Sequence, residues 1–148
     1  MRIIEKIEQD LFAAMKEKNS DSVRTLRMAM SSIKYAEKEK REQLDDQAVI
    51  GVLQKEIKIR QETMEEAKKG NRQDIIDENM QDITLLEKYL PVPLTESELD
   101  AMVQKIIKDT GAQSMKEMGK VMPLIVQEVN GRAPNSVISQ TVRKFLAG

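Results

Sequence analysis

The chain of 148 residues has no cysteine and no histidine. Without cysteine there is no disulfide, no thiolate nucleophile and no thiolate metal site. Without histidine, the commonest general base and the commonest transition-metal ligand are missing as well. Tryptophan is absent, and there are only two Phe and two Tyr, so recognition of single-stranded nucleic acid by base stacking is not expected. The six glycines are scattered at 51, 70, 111, 119, 131 and 148. None falls in a G-x-G-x-x-G or P-loop pattern, so no glycine-rich phosphate cradle is present. The longest apolar run covers residues 121–126, far too short for a membrane span. Charges interrupt the apolar residues from Met1 to Glu8, a pattern unlike a signal peptide. A soluble chain located in the cytoplasm, with no membrane partner, is the expectation.

What is present is charge and aliphatic surface: 33% charged and 40% hydrophobic residues, ten of them methionine. That mix suits amphipathic helices rather than a thick sandwich core. The stretch Tyr89-Leu90-Pro91-Val92-Pro93-Leu94-Thr95 divides the chain. Proline lacks an N–H and disfavours helix in the residue before it, so Leu90 and Val92 should be extended. Thr95 followed by Glu98 has the form of a capping box and opens a new helix. The expected fold is all-α: an N-terminal helical domain (1–92) with a long helical hairpin, followed by a small three-helix bundle (93–148).

Periodicity places four helices before the joint. The first covers about 3–18, with Ile4, Ile7, Leu11 and Met15 on one stripe. The second starts at a Ser20 or Asp21 cap and buries Val23, Leu26, Met30 and Ile33. Its end, residues 34–41, is nearly all polar and should project as an arm or fit a partner. The third, about 47–69 after an Asp45 or Asp46 cap, has a seam of Val49, Leu53, Ile57, Met64 and Ala67 that skips Arg60. The fourth, about 73–89, has Ile76, Met80, Ile83, Leu86 and Leu90 in line. Beyond the joint, helices are expected over 96–109, 115–129 (capped by Ser114) and 137–146 (capped by Asn135 or Ser136). Leu99, Val103, Val121, Ile125, Val129, Ile138 and Val142 are among their inward residues. Pro123 removes the bond to the Gly119 carbonyl, so the middle helix should bend or break there.

Few residues suggest catalysis. Ser31 or Ser32 beside Lys34 is the nearest approach to a Ser–Lys pair, and helix-surface serines beside lysines are common. Asp74, Asp77, Glu78 and Asp82 cluster on the fourth helix, as a solvated face commonly does. Arg24 and Arg27 flank the second stripe, with stems expected along apolar surface. The methionines inside helices lie mostly on apolar stripes, where core filling accounts for them. No catalytic residue, cofactor or metal ligand is assigned.

Charge is distributed unevenly. Net charge is −1, yet from Ser114 onward Lys116, Lys120, Arg132, Arg143 and Lys144 face only Glu117 and Glu128, a local charge of +3. With few aromatics, such cations permit contact with the backbone and shape of a folded RNA; ordinary solvated surface is the alternative. Lys116 and Lys120 would lie one helical turn apart. Arg132, after Gly131, has the fork geometry that grips phosphate in bidentate fashion.

Five segments resemble the GatB/YqeY family, in order and at its spacing. They are Leu26-Arg27-Met28-Ala29-Met30-Ser31-Ser32-Ile33-Lys34, Val52-Leu53-Gln54-Lys55-Glu56-Ile57-Lys58-Ile59-Arg60-Gln61-Glu62, Tyr89-Leu90-Pro91, Met118-Gly119-Lys120-Val121-Met122 and Asn130-Gly131-Arg132-Ala133. The layout is similar to that of the stand-alone bacterial members. The resemblance implies a helical domain followed by a three-helix tail, like the module that ends the B subunit of the glutamine-dependent tRNA amidotransferase, a carbon–nitrogen ligase. There the tail helps to hold the tRNA. Similar modules are appended to some glutaminyl-tRNA synthetases. The resemblance implies tRNA as partner and Lys116, Lys120 and Arg132 as RNA-facing positions; Arg143 and Lys144 are added from charge. Nothing here matches the amidotransferase's catalytic cradle, with its ATP and metal sites, so a non-catalytic accessory module is expected. The alternatives are an adaptor docking on a larger tRNA-processing enzyme, such as an aminoacyl-tRNA synthetase or amidotransferase subunit, and a component of an amide-transferring assembly.

Overall fold

Among the described residues, side-chain caps mark the start of three helices, and four begin without one. The computed structural model describes residues 1–147, with seven α-helices and no strand among them. They form two compact units, Met1–Leu90 and the segment from Pro91 on.

The first unit contains α1 (Ile3–Lys16), α2 (Ser20–Lys40), α3 (Asp46–Lys69) and α4 (Gln73–Glu87). Asn19, not Ser20 or Asp21, caps α2: its side chain accepts the Ser22 N–H at 3.2 Å. Asp45 caps α3 by accepting the Ala48 N–H at 2.9 Å. Asp46 has another task, accepting the Ile3 N–H at 3.0 Å. Nearby, Arg2 donates to the Leu44 carbonyl at 2.6 Å and the Leu44 N–H donates to Glu37 at 3.0 Å. Leu44 itself is buried in the core. The turn of the α2–α3 hairpin is thus stitched to the start of α1, so the polar end of α2 lies on the body rather than projecting as an arm.

Ile7, Leu26, Ile33, Val49, Leu53 and Leu86 are fully buried and form the centre of this unit's core. Two expected core residues lie outside it: Met15 is 46% exposed and Met80 52%. On α1 the small Ala14 is buried instead. On α4 the inward row includes Asp82. Two positions on a helix are separated by about 200° of rotation, so Asp82 facing inward turns Met80 to solvent.

Arg60 explains that rotation. It does not interrupt the α3 seam; it occupies it, 5% exposed, between Ile57 and Met64. Its Nη1 lies 2.8 Å from Glu56 Oε2, and its Nε lies 3.5 Å from Asp82 Oδ2. The second carboxylate oxygens are also taken: Thr25 Oγ1 donates to Asp82 at 2.7 Å, and Ser32 Oγ donates to Glu56 at 2.7 Å. Arg24, nearer the surface, reaches Glu78 at 3.0 Å and Asp82 at 3.8 Å. A buried charge is tolerated only when paired and hydrogen-bonded. Among the described residues, no buried side-chain polar atom lacks a partner.

At the end of this unit Tyr89 turns back into the core, and its hydroxyl donates to Asp10 at 2.5 Å. Burial first, and the Asp10 carboxylate second, push the Tyr89 hydroxyl far above its ordinary value. Lys6 lies over its ring, 5.9 Å from the centroid.

The second unit contains α5 (Glu96–Thr110), α6 (Met118–Val129) and α7 (Asn135–Leu146) around Val103, Val121, Ile125, Val129 and Val142. The Thr95–Glu98 capping box forms as expected. Gly111, at φ 72°, ends α5 with its N–H on the Ile107 and Lys108 carbonyls. The expected long middle helix divides in two. Met115–Glu117 is a 3₁₀ turn, and α6 starts afresh at Met118. The division lies upstream of Gly119, not at Pro123: α6 runs through both. Pro123 lies inside α6, so the Gly119 carbonyl goes without its ladder bond, yet the helix continues through it. Neither Ser114 nor Asn135 provides a side-chain cap; the N-cap of α7 is Pro134.

Two outcomes follow from the polar pairs. Arg60→Ala leaves Glu56 without its cation and Asp82 with Arg24 alone, and should cost about 3–5 kcal/mol in urea unfolding. The triple change Glu56→Gln, Arg60→Met, Asp82→Asn, which leaves none of the three charges, should recover most of that loss. For Tyr89, a folded value above the unfolded value of 10.0 means the folded state retains its proton longer. The stability is complete below pH 10 and falls as pH rises beyond it. Tyr89→Phe should flatten that alkaline decline, read as Tm against pH.

Candidate nucleic-acid interface

The five cations singled out from the sequence occupy three places in the second unit. Lys116 lies in the 3₁₀ turn and Lys120 in the first turn of α6, and both side chains are exposed. They are not neighbours on one continuous helix, because Glu117 at φ −95°, ψ 4° separates the two segments. Glu117 does not neutralise them: its carboxylate accepts the Gln113 N–H at 2.6 Å. Arg143 and Lys144 lie in the last turn of α7. Lys144 is committed within the unit, 3.1 Å from Asp100 and 5.0 Å from the centroid of the Phe145 ring.

Arg132 is committed too. The loop that carries it turns through Asn130 and Gly131, both at positive φ. Its Nε donates to the Val92 carbonyl at 2.8 Å, and its carbonyl accepts the Leu94 N–H at 2.9 Å. A guanidinium nitrogen lies 4.0 Å from Glu98. Arg132 thus holds the entry segment of α5 in place, a role that spacing alone does not disclose. The structure brings Arg132 and Lys144 together on the start of α5, through Glu98 and Asp100. Lys116, Lys120 and Arg143 make no ion pair among the described residues.

Counting charge only from Ser114 missed Lys105 and Lys108, exposed and one turn apart on α5. Their i, i+3 spacing was the available signal. Lys108 borders a shallow groove of about 380 Å³ with Gln104, Ile107, Gln113 and Phe145. The groove is open, and its polar groups are amides and one ammonium, a lining suited to contact rather than to bond-making. The carboxylates of α4 do not converge either. Asp74 pairs with Arg72 at 3.0 Å, Asp77 accepts from Gln73 at 2.8 Å, and Glu78 pairs with Arg24. Among the described residues, no group of three or more carboxylates is placed to hold a metal ion, and no helix is long and apolar enough to cross a membrane.

A family model described as Yqey-like protein matches residues 4–146. The chain belongs to the YqeY-like family. Its curated relatives include "Altered inheritance of mitochondria protein 41, mitochondrial" of Pyrenophora tritici-repentis, 26% identical over 90% of this chain and 75% of the relative. The protein of the same name in Kluyveromyces lactis is 34% identical over 70% of this chain and 57% of the relative. An uncharacterised protein of Schizosaccharomyces pombe is 33% identical over 57% of this chain and 69% of its own length. The match to the YqeY-like model spans both helical units.

The capping box supplies a measurable quantity. The Thr95 backbone and hydroxyl hold the Glu98 carboxyl below its ordinary value of 4.5, with Arg132 adding a smaller pull. That contribution is present above pH 4.5 and is lost as pH falls through the lower, folded value. Thr95→Ala should destabilise the second unit by about 1 kcal/mol and move the Glu98 titration, followed by NMR, back toward 4.5.

Proposed function

We propose that this YqeY-like protein is a cytoplasmic, non-catalytic tRNA-binding accessory module whose second unit contacts the RNA backbone. One observation carries this reading. Lys116, Lys120 and Arg143 are exposed, without an ion pair among the described residues, on a unit where Arg132 and Lys144 secure its own fold. Cations held on helices and free of internal carboxylates are available to phosphates, and few aromatics are needed when shape and backbone are what is read. The likeness of the second unit to the tail of the tRNA amidotransferase B subunit supports tRNA as the RNA. Amide transfer would come from a partner enzyme, with this chain supplying only part of the grip on the nucleic acid.

The test is binding of labelled tRNA across a salt series. Three phosphate contacts give a slope of log K against log salt of about −2 to −3. Lys116→Glu, Lys120→Glu and Arg143→Glu together should lower affinity about tenfold or more and flatten that slope, without lowering Tm. Arg132→Glu should instead lower Tm, through loss of its bond to Val92. If tRNA does not bind at low salt, or the triple change leaves affinity untouched, the proposal fails.

A further inference from the structure

The first unit carries seventeen basic and nineteen acidic residues, a net charge of −2, yet one of its faces is cationic. Along α2, Arg27, Ser31, Lys34 and Lys38 follow one another at spacings of four, three and four, and all are exposed. That row has no carboxylate. It is about 16 Å long, three turns of helix. Across the seam, α3 adds exposed Lys55 and Ile59. The register is set by Ser32 on Glu56 and by Arg60 against Met28 at 3.9 Å. Among the described residues, none of Arg27, Lys34, Lys38 and Lys55 makes an ion pair. Glu56 is already engaged by Ser32 and Arg60, and Glu37 by the Leu44 N–H. Glu39 and Glu62 lie only toward the two ends of the patch.

The same face exposes large apolar side chains: Met28 at 49%, Tyr35 at 67% and Ile59 at 47%. Contact with phosphates alone would leave these wet. Met, Tyr and Arg together are the residue types that interface cores favour over other surface. We propose that this face docks an acidic amphipathic helix of a partner protein, laid along the α2–α3 seam. Its apolar stripe covers Met28, Tyr35 and Ile59, and its flanking carboxylates meet Arg27, Lys34, Lys38 and Lys55. This is recognition by a groove between helices, with i, i+3/i+4 and i+7 anchors and charge complementarity setting specificity and on-rate. The surface belongs to the first unit and is independent of the RNA-facing cations of the second.

The probes are labelled synthetic helices about 18 residues long, with one common leucine stripe and polar faces of all Glu, all Gln or all Lys. On the full-length protein the Glu helix should bind about tenfold or more tighter than the Gln helix. Arg27→Glu, Lys34→Glu and Lys38→Glu together should reverse the preference toward the Lys helix, a gain that a misfolded protein would not show. Tyr35→Ala should weaken the Glu helix without changing the charge preference. tRNA affinity should survive the triple change, and peptide affinity should survive charge reversal at Lys116, Lys120 and Arg143. Equal binding of Glu and Gln helices, or none, overturns the proposal. So does a triple variant that loses tRNA while its peptide preference stays unchanged, which assigns the face to RNA.

Discussion

Arg60 is the residue on which the first unit depends. Placed mid-seam on α3, it binds one carboxylate on its own helix and another on α4, and those carboxylates take hydroxyls from α2. Three helices are thereby held in one register. An aliphatic residue at this position would pack, but it would set neither the rotation of α4 nor the height of α2 against α3. Buried ionic groups often add little net stability, and fixing register is their best-attested use. Here the fixed register turns Asp82 inward and Met80 outward, and aligns Met28 with the α3 seam.

A second constraint concerns where the cations go. Arg2, Arg24, Arg60, Arg132 and Lys144 are all bound to acceptors inside their own unit. Among the cations left outward, two groups stand out: Lys116, Lys120 and Arg143 on the second unit, and the exposed row of α2 on the first. The protein is close to neutral overall, so any attraction for a polyanion must come from such local segregation. The group on the second unit presents cations without an ion pair among the described residues, with Met115 and Leu124 also exposed close by in the chain, and is the one proposed for phosphate. The other interleaves charge with Met, Tyr and Ile and suits a peptide. A module that holds tRNA through one unit and an enzyme's acidic helix through the other would bring substrate and catalyst together without chemistry of its own.

Much of the fold was legible because amphipathic periodicity and capping are local. Pro91, Pro93, Thr95, Gly111 and Asn130 punctuate the chain by their own backbone preferences, so the helices, the family resemblance and the capping box could be read directly. What could not be read was tertiary substitution of a polar residue for an apolar one. Arg60 looked like a gap in its stripe because its partners lie 22 residues away in Asp82 and one turn back in Glu56. Met15 and Met80 were placed inside because periodicity cannot tell which edge of a stripe the neighbours cover. Arg132 matched a phosphate-gripping pattern, but its bond to Val92 spans 40 residues and appears only once the chain has folded. Leu44 lies between two helices on no stripe, and its burial required knowing that the chain's first residues return to that turn.

The central claim is that the two outward cationic surfaces serve different partners, RNA on the second unit. The most direct measurement is an amide-resolved NMR titration of the full chain with tRNA. The account predicts shifts concentrated at Lys116–Lys120 and around Arg143, with the α2 row from Arg27 to Lys38 unmoved. Shifts confined to that row, with the second unit silent, would contradict it.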